Sequence, residues 1–247
     1  QLLSTIPQNV VLQSAWLLKQ GYSLDLQKYY RKSGWLKALE NSAMYRGINQ
    51  PSYEGGVYAL QNQSGHSVHP GGRTALALQG KAHYIELNTV QVWLFGGEKE
   101  KLPTWFRKHK WNQNINYNAS SFLPKELGLT EFSLSNFSIK VSSPARAIME
   151  CLYLAPEKFD IVECYELMEN LNDLRPTIVQ ELLEACTSIK VKRLFLFMAE
   201  KLNHSWYKHL KLSKFDLGKG KRSLVKDGVY ISKYQITVPK KLISNEQ

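Results

Sequence analysis

Cysteine is scarce, with three in 247 residues. Cys151, Cys164 and Cys186 are odd in number, far apart and set among apolar neighbours, which excludes a disulfide framework and reads as buried thiols in a reducing compartment. Long apolar runs are missing too. None approaches the roughly 18 residues that would cross a bilayer, and no leader-like segment opens the chain, so a cytoplasmic protein without membrane contact is expected. Because the sequence starts at Gln1, a true N-terminus farther upstream is expected. Metal-ligand patterns are also absent: His66 and His69 lie three apart and His83, His204 and His209 are scattered, with no CxxC or HExxH to complete a site. Those histidines are expected on the surface or satisfied in the core, with no bound metal. "GKGKR" at 218–222 lacks the GxxxxGK(S/T) spacing of a phosphate loop. No Ser-His-Asp or Cys-His pairing stands out. The carboxylates from Glu150 to Glu184 recur at helical spacings typical of a solvated face. The expectation is a protein that is not an enzyme, with no catalytic residue to name and no cofactor.

What the chain has in excess is positive charge, +11 overall. Such a balance favours a polyanionic partner. It is unevenly spread: residues 1–70 carry six Lys and Arg against three acids, and 71–144 carry nine against five. Residues 145–185 carry three against nine, and 186–247 carry fourteen against four. An acidic helical block is therefore followed by a strongly basic tail.

Near the start, "NVVLQSAWLLKQ" places Val11, Leu12, Ala15, Trp16 and Leu18 near helical spacing behind a capping Asn9, predicting a short amphipathic helix. "QGY" supplies a turn in which Gly21 is free to take a positive φ. Ser23 then caps a second helix, and two short helices about such a turn form a helix-turn-helix. With Leu26 at zero and about 100° per residue, Tyr29, Tyr30 and Ser33 fall within about 60° as a buried stripe. Lys28 and Arg31 then face away, flanked by Gln27 and Lys32. Arg31 and Lys32 also suit the negative end of the helix dipole, which alone would leave them merely solvated. The next residues give these cations a larger role. Gly34 ends the helix, and "WLKALENSAMYR" alternates well enough for two short strands about a turn at Glu40 to Ser42, with Arg46 on the returning strand. Helix, turn, helix and hairpin in this order predict a winged helix whose second helix enters the DNA major groove while the wing touches the backbone. The expected DNA-contacting residues are Ser23, Gln27, Lys28, Arg31, Lys32 and Arg46.

The run "SAWLLKQGYSLDLQKYYRKSGWLKAL" and then "GGVYALQ", "GGRTALALQGKAHYI", "SSPARAIMECLY", "LRPTIVQELLEAC", "KVKRLFLFMAE" and "VYISKYQITVP", in this order, resemble the AbiEi-type transcriptional regulators and antitoxins of bacterial abortive-infection (type IV) toxin–antitoxin systems. The resemblance covers nearly the whole chain. One departure is Ala145 in "SSPARA", where related sequences usually carry Glu. The resemblance implies an N-terminal winged helix that represses its own operon at inverted repeats in the promoter DNA. It also implies a C-terminal domain that counteracts a nucleotidyltransferase-like toxin, without requiring stable contact between the two proteins.

A second domain is expected to begin where Gly, Ser, His and Pro cluster at 66–72. The fold class is thus α+β, with a winged helix-turn-helix over 1–70 and a larger mixed α/β antitoxin domain over 71–247. "AHYIEL" and "VQVWLFG" read as strands. "SSPARAIMECLYLA" starts a helix with Ser143 as cap, Pro144 at the first position and Arg146 four before Glu150. Further helices are predicted over about 161–171, 177–186 and 190–202, and "GVYISKYQITVP" as a closing strand. The segment 191–199 is apolar nearly all round, predicting a buried helix, yet Lys190, Lys192 and Arg193 oppose its dipole at the start. Two explanations stand: pairing with acids such as Glu181 and Glu184, or an anion site at the helix N-terminus. Lys190, Lys192 and Arg193 with Lys219, Lys221 and Arg222 form the expected C-terminal basic patch. A second functional reading is an RNA-binding or nucleic-acid-processing protein that acts through this basic domain.

Overall fold

The computed structural model describes residues 6–82 and 91–243. They gather into two compact units, each described separately. The first holds residues 6–70, 91–120 and 130–141, and the second 71–82, 121–129 and 142–243. The fold is mixed α+β, with nine α-helices among the described residues.

In the first unit, Val11–Gln13 forms strand β1 and only Ser14–Lys19 is helical (α1). The helix expected from Asn9 onward therefore starts later, and Asn9 itself takes φ 63°. The reason is tertiary. Val10, Val11 and Leu12 are at most 1% exposed, and β1 is hydrogen-bonded to a distant strand, with Val11 opposite Tyr45. β-branched residues buried on both sides favour a strand over a short helix. After a turn comes α2, Leu24–Lys32, then strands β2, Lys37–Glu40, and β3, Ala43–Tyr45. The three strands form an antiparallel sheet in the order β1-β3-β2. Val10, Leu12, Leu17, Leu36 and Met44 make the local core, covered by Trp16, Tyr22 and Tyr30.

Helix α3, Tyr53–Ser64, packs on β1. A second sheet has the order β4-β5-β6, from His69–Pro70, Gln91–Gly97 and Asn114–Ser120. β5 and β6 run parallel, as a crossover carrying the short helix α5, Thr104–Lys108, allows. "VQVWLFG" is thus a strand from Gln91 onward, whereas "AHYIEL" lies outside the described residues from His83 on. β7, Leu129–Ser133, pairs with β8, Ser138–Ser142.

The second unit is built around α6, Pro144–Leu154. Ser143 caps it and Pro144 opens it, as expected. It packs against α4, Gly72–Leu78, α7, Ile161–Glu169, α8, Pro176–Ala185, and α9, Ile189–Lys201. The Arg146–Glu150 ion pair lies within this packing, 2.8 Å apart and almost wholly buried. Such a pair needs its remaining polar atoms satisfied. Glu150 Oε2 accepts from Gly72 N and Ser142 Oγ, while Arg146 donates to the carbonyls of Pro124 and Leu127. Helix α9 is buried from Val191 through Ala199, as its apolar run predicts. The chain closes with a small sheet in which β10, Val229–Ile231, pairs with β11, Ile236–Val238, and β11 pairs with β9, Arg222–Ser223. The one closing strand expected is therefore a hairpin, because Gln235 takes φ 51° and turns the chain within "SKYQ".

Candidate nucleic-acid interface

The turn between α1 and α2 is set by Gly21, whose φ of +87° disfavours a side chain, and Gly34 at φ +77° follows the end of α2. Ser23 caps α2, its Oγ accepting from Leu26 N at 3.2 Å. Ser23 is exposed as well as capping. Gln27 faces inward and is 1% exposed. Its Oε1 accepts from Ser14 Oγ at 2.7 Å, and its amide donates to Tyr22 O at 2.8 Å and Ser14 O at 3.3 Å. Gln27 thus ties α2 to α1 and presents no group to a base edge.

This amide rotates the helix from its apolar expectation. Leu26, Gln27 and Tyr30 face inward, while Tyr29, 64% exposed, and Ser33 lie outside the stripe assigned to them. A buried amide left without partners costs about 1–3 kcal/mol, so its hydrogen bonds hold this face of the helix inward. From the inward direction so defined, about 100° per residue puts Lys28 and Lys32 within about 30° of the outward line and Arg31 about 90° from it. Lys28, Arg31 and Lys32 are all exposed. The order of prominence is therefore Lys28 and Lys32 first, Arg31 at the side. Leu24 shares this face at 61% exposure.

The hairpin turns at Asn41 and Ser42, with Ser42 at φ 67°. Lys37 donates through Nζ to Ile48 O at 3.2 Å, bracing the base of the hairpin. Arg46 is half-buried and lies one residue past the returning strand. The helical pair, the capped and outward-cationic α2 and the edge hairpin share one compact unit.

The six C-terminal cations divide into two groups. Arg193 is 1% exposed and Lys192 4%. The Arg193 guanidinium donates to the carbonyls of Leu217, Gly218, Gly220 and Gln235, and burial followed by the charge of Arg222 lowers its pKa. Lys190 donates to the carbonyls of Tyr153 and Ala155, and burial lowers its pKa as well. At this helix start, backbone carbonyls accept from Lys190 and Arg193. Lys219, Lys221 and Arg222 are exposed on the turn that Arg193 holds, and Lys221 Nζ lies 5.0 Å from the Tyr230 ring centre.

Residues 89–239 match the family profile described as transcriptional regulator, AbiEi antitoxin, type IV TA system, and residues 1–87 match that of the AbiEi antitoxin N-terminal domain. The chain belongs to the AbiEi antitoxin family of transcriptional regulators. The crystal structure of the RV2827C protein from Mycobacterium tuberculosis has a similar fold, with a TM-score of 0.59, 11% identity, and coverage of 95% of this chain and 88% of that one. No curated protein matches.

Within this AbiEi-family chain the buried histidines serve the core. His69 Nδ1 lies 2.6 Å from Ser67 O, and His204 Nε2 lies 2.9 Å from Met168 O. All three cysteines are buried, and burial pushes each thiol up. Among the described residues no three His, Cys, Asp or Glu side chains are grouped to hold a metal, and no helix is long and apolar enough to cross a membrane. The run "RKHK" at 107–110 is cationic and exposed at Arg107, Lys108 and Lys110, and its spacing fits neither helix amphipathicity nor a motif. Leu24 is exposed, although an apolar residue on an amphipathic helix reads as core.

Proposed function

We propose that this antitoxin-family regulator binds duplex DNA through a winged helix-turn-helix within residues 1–70, with α2 in the major groove and the β2–β3 hairpin as the wing. The target is an inverted repeat in its own operon promoter. The observation that carries this reading is the outward pair Lys28 and Lys32 on a capped helix whose inward face is locked by Gln27. Lysine at such positions donates to guanine O6 and N7. Arg31 at the flank and Arg46 beside the wing contact phosphates, which position the protein without reading sequence. Ser23 and Gln27 act by holding the helix.

Residues 71–247 carry the protection against a nucleotidyltransferase-like toxin made alongside, and the exposed Lys219, Lys221 and Arg222 are the cations of the C-terminal patch available to a partner. The protein works in the cytoplasm and performs no catalysis of its own.

Three probes test the reading with the full chain: the duplex upstream of its own gene, a scrambled duplex of equal length, and a structured RNA. Specific affinity for the first is expected, and Lys28→Ala or Lys32→Ala each weakens it by about 1–3 kcal/mol where a base edge is contacted. Folding is unaffected, since both side chains are exposed. Preference for the RNA would replace this reading with that of an RNA-binding protein.

A further inference from the structure

The segment after β5 carries a surface that the helix-turn-helix does not use. Helix α5 is short, and its Trp105 and Phe106 are buried while Arg107, Lys108 and Lys110 are exposed. The segment is firmly seated. Trp111 Nε1 donates to Phe106 O at 2.9 Å, the Phe106 and Trp111 rings lie 4.9 Å apart, and Arg107 Nε donates to Leu102 O at 3.1 Å. It is also seated against the wing: α5 packs on β2, and His109 Nδ1 lies 3.5 Å from Glu40 Oε1. Glu40 is the last residue of β2 before the hairpin turn. The run 107–110 therefore lies at the tip of the hairpin, within the same compact unit.

Three exposed cations in four residues make a locally positive surface that attracts an anionic partner. The helix dipole is no sufficient reason, because α5 has five residues and Lys110 lies beyond its end. Two of the nearby acids have other partners. Glu40 faces His109, and Glu100 accepts from Ser67 N and Oγ, leaving Glu98 on the rim of the groove beside α5.

We infer that Arg107, Lys108 and Lys110 form a second phosphate-contacting track that continues the wing, so that the protein grips the DNA backbone beyond the base pairs read by α2. This rests on the reading of the first unit as a DNA-binding module. The contacts are to backbone phosphates, so they add affinity without adding sequence preference.

The test compares the full wild-type chain with the triple variant Arg107→Ala/Lys108→Ala/Lys110→Ala on the duplex upstream of its own gene and on scrambled duplex, across a salt series. The triple variant should bind both duplexes at least about tenfold more weakly, and its slope of log affinity against log salt should flatten by about 0.9 for each phosphate that the cations no longer neutralise. Its melting temperature should fall by no more than the few degrees expected from loss of the Arg107 Nε–Leu102 O hydrogen bond, and hydroxyl-radical footprinting should show reduced protection at the outer edge of the site only. Lys28→Ala should reduce the preference for the upstream duplex and keep that outer protection. Wild-type affinity, slope and footprint in the triple variant would overturn the track while leaving the winged-helix reading intact. Failure of the wild-type chain to bind either duplex would overturn both.

Discussion

At the scale of single residues, the strongest constraints are two buried arginines. Arg146 offsets a carboxylate that is 0% exposed, and Arg193 gathers four backbone carbonyls from a loop and a turn. Both perform structural work that aliphatic residues of the same size could not. Removing one partner of a buried ion pair costs about 3–5 kcal/mol, because the other charge stays behind. Arg146→Ala should lower the free energy of unfolding by about that amount in urea titrations. Replacing Glu150 and Arg146 together by Met and Leu should recover part of it. For Arg193→Ala the loss comes from unpaired carbonyls at about 1–3 kcal/mol for each one left buried, and the first region to gain amide exchange should be 217–222. Equal exchange there in mutant and wild type would refute the role assigned to Arg193.

At the scale of elements, the decisive fit lies between helix α3 and the chain entering β1. A Cβ built on Gly55 would stand 2.2 Å from Asn9 O and 3.0 Å from Pro51 Cβ. The obstacle is backbone, so no side-chain rotation relieves it. Gly55→Ala should therefore destabilise the first unit by about 1–3 kcal/mol, the usual cost of overpacking. It should also weaken DNA binding by displacing β1 and with it α1. The check is the denaturant midpoint together with affinity for the upstream duplex: an unchanged midpoint would mean that the close approach of α3 to β1 is not a constraint. The same element scale explains α2. A hydrophobic wheel places Tyr29 inside, yet the hydrogen bonds of Gln27 to Ser14 and Tyr22 turn the helix so that Lys28 and Lys32 lead.

At the scale of the molecule, charge is segregated by structural role as well as by position. Of the six cations expected in the C-terminal patch, Lys190 and Arg193 donate to backbone carbonyls, Lys192 is buried, and Lys219, Lys221 and Arg222 are exposed. Reversing the exposed three to Glu should abolish protection against the toxin while leaving the melting temperature nearly unchanged, since an exposed charge contributes about 0–1 kcal/mol per pair. Reversing Arg193 should instead unfold the second unit. Protection that survives the exposed triple reversal would remove these residues from the antitoxin surface.

Local chemistry made much of this protein legible from sequence alone. The cap at Ser23, the turn at Gly21, the hairpin of "WLKALENSAMYR", the Ser143-Pro144 helix start and the buried run of α9 each follow from interactions within a few residues. The ordered motifs carried the AbiEi resemblance for the same reason, because each is a contiguous run of sequence. Tertiary structure decided what depends on partners far along the chain. Val11 became a strand because Tyr45 lies opposite it. Gln27 turned inward because Ser14 and Tyr22 present oxygens to it. Arg193 was withdrawn from the surface by carbonyls 24 to 42 residues away. The run at 107–110 gained its place at the hairpin tip only when Glu40 met His109. A side chain's charge is written in the sequence, whereas the group that satisfies it, protein or nucleic acid, is chosen by which distant atoms the fold brings within hydrogen-bond reach.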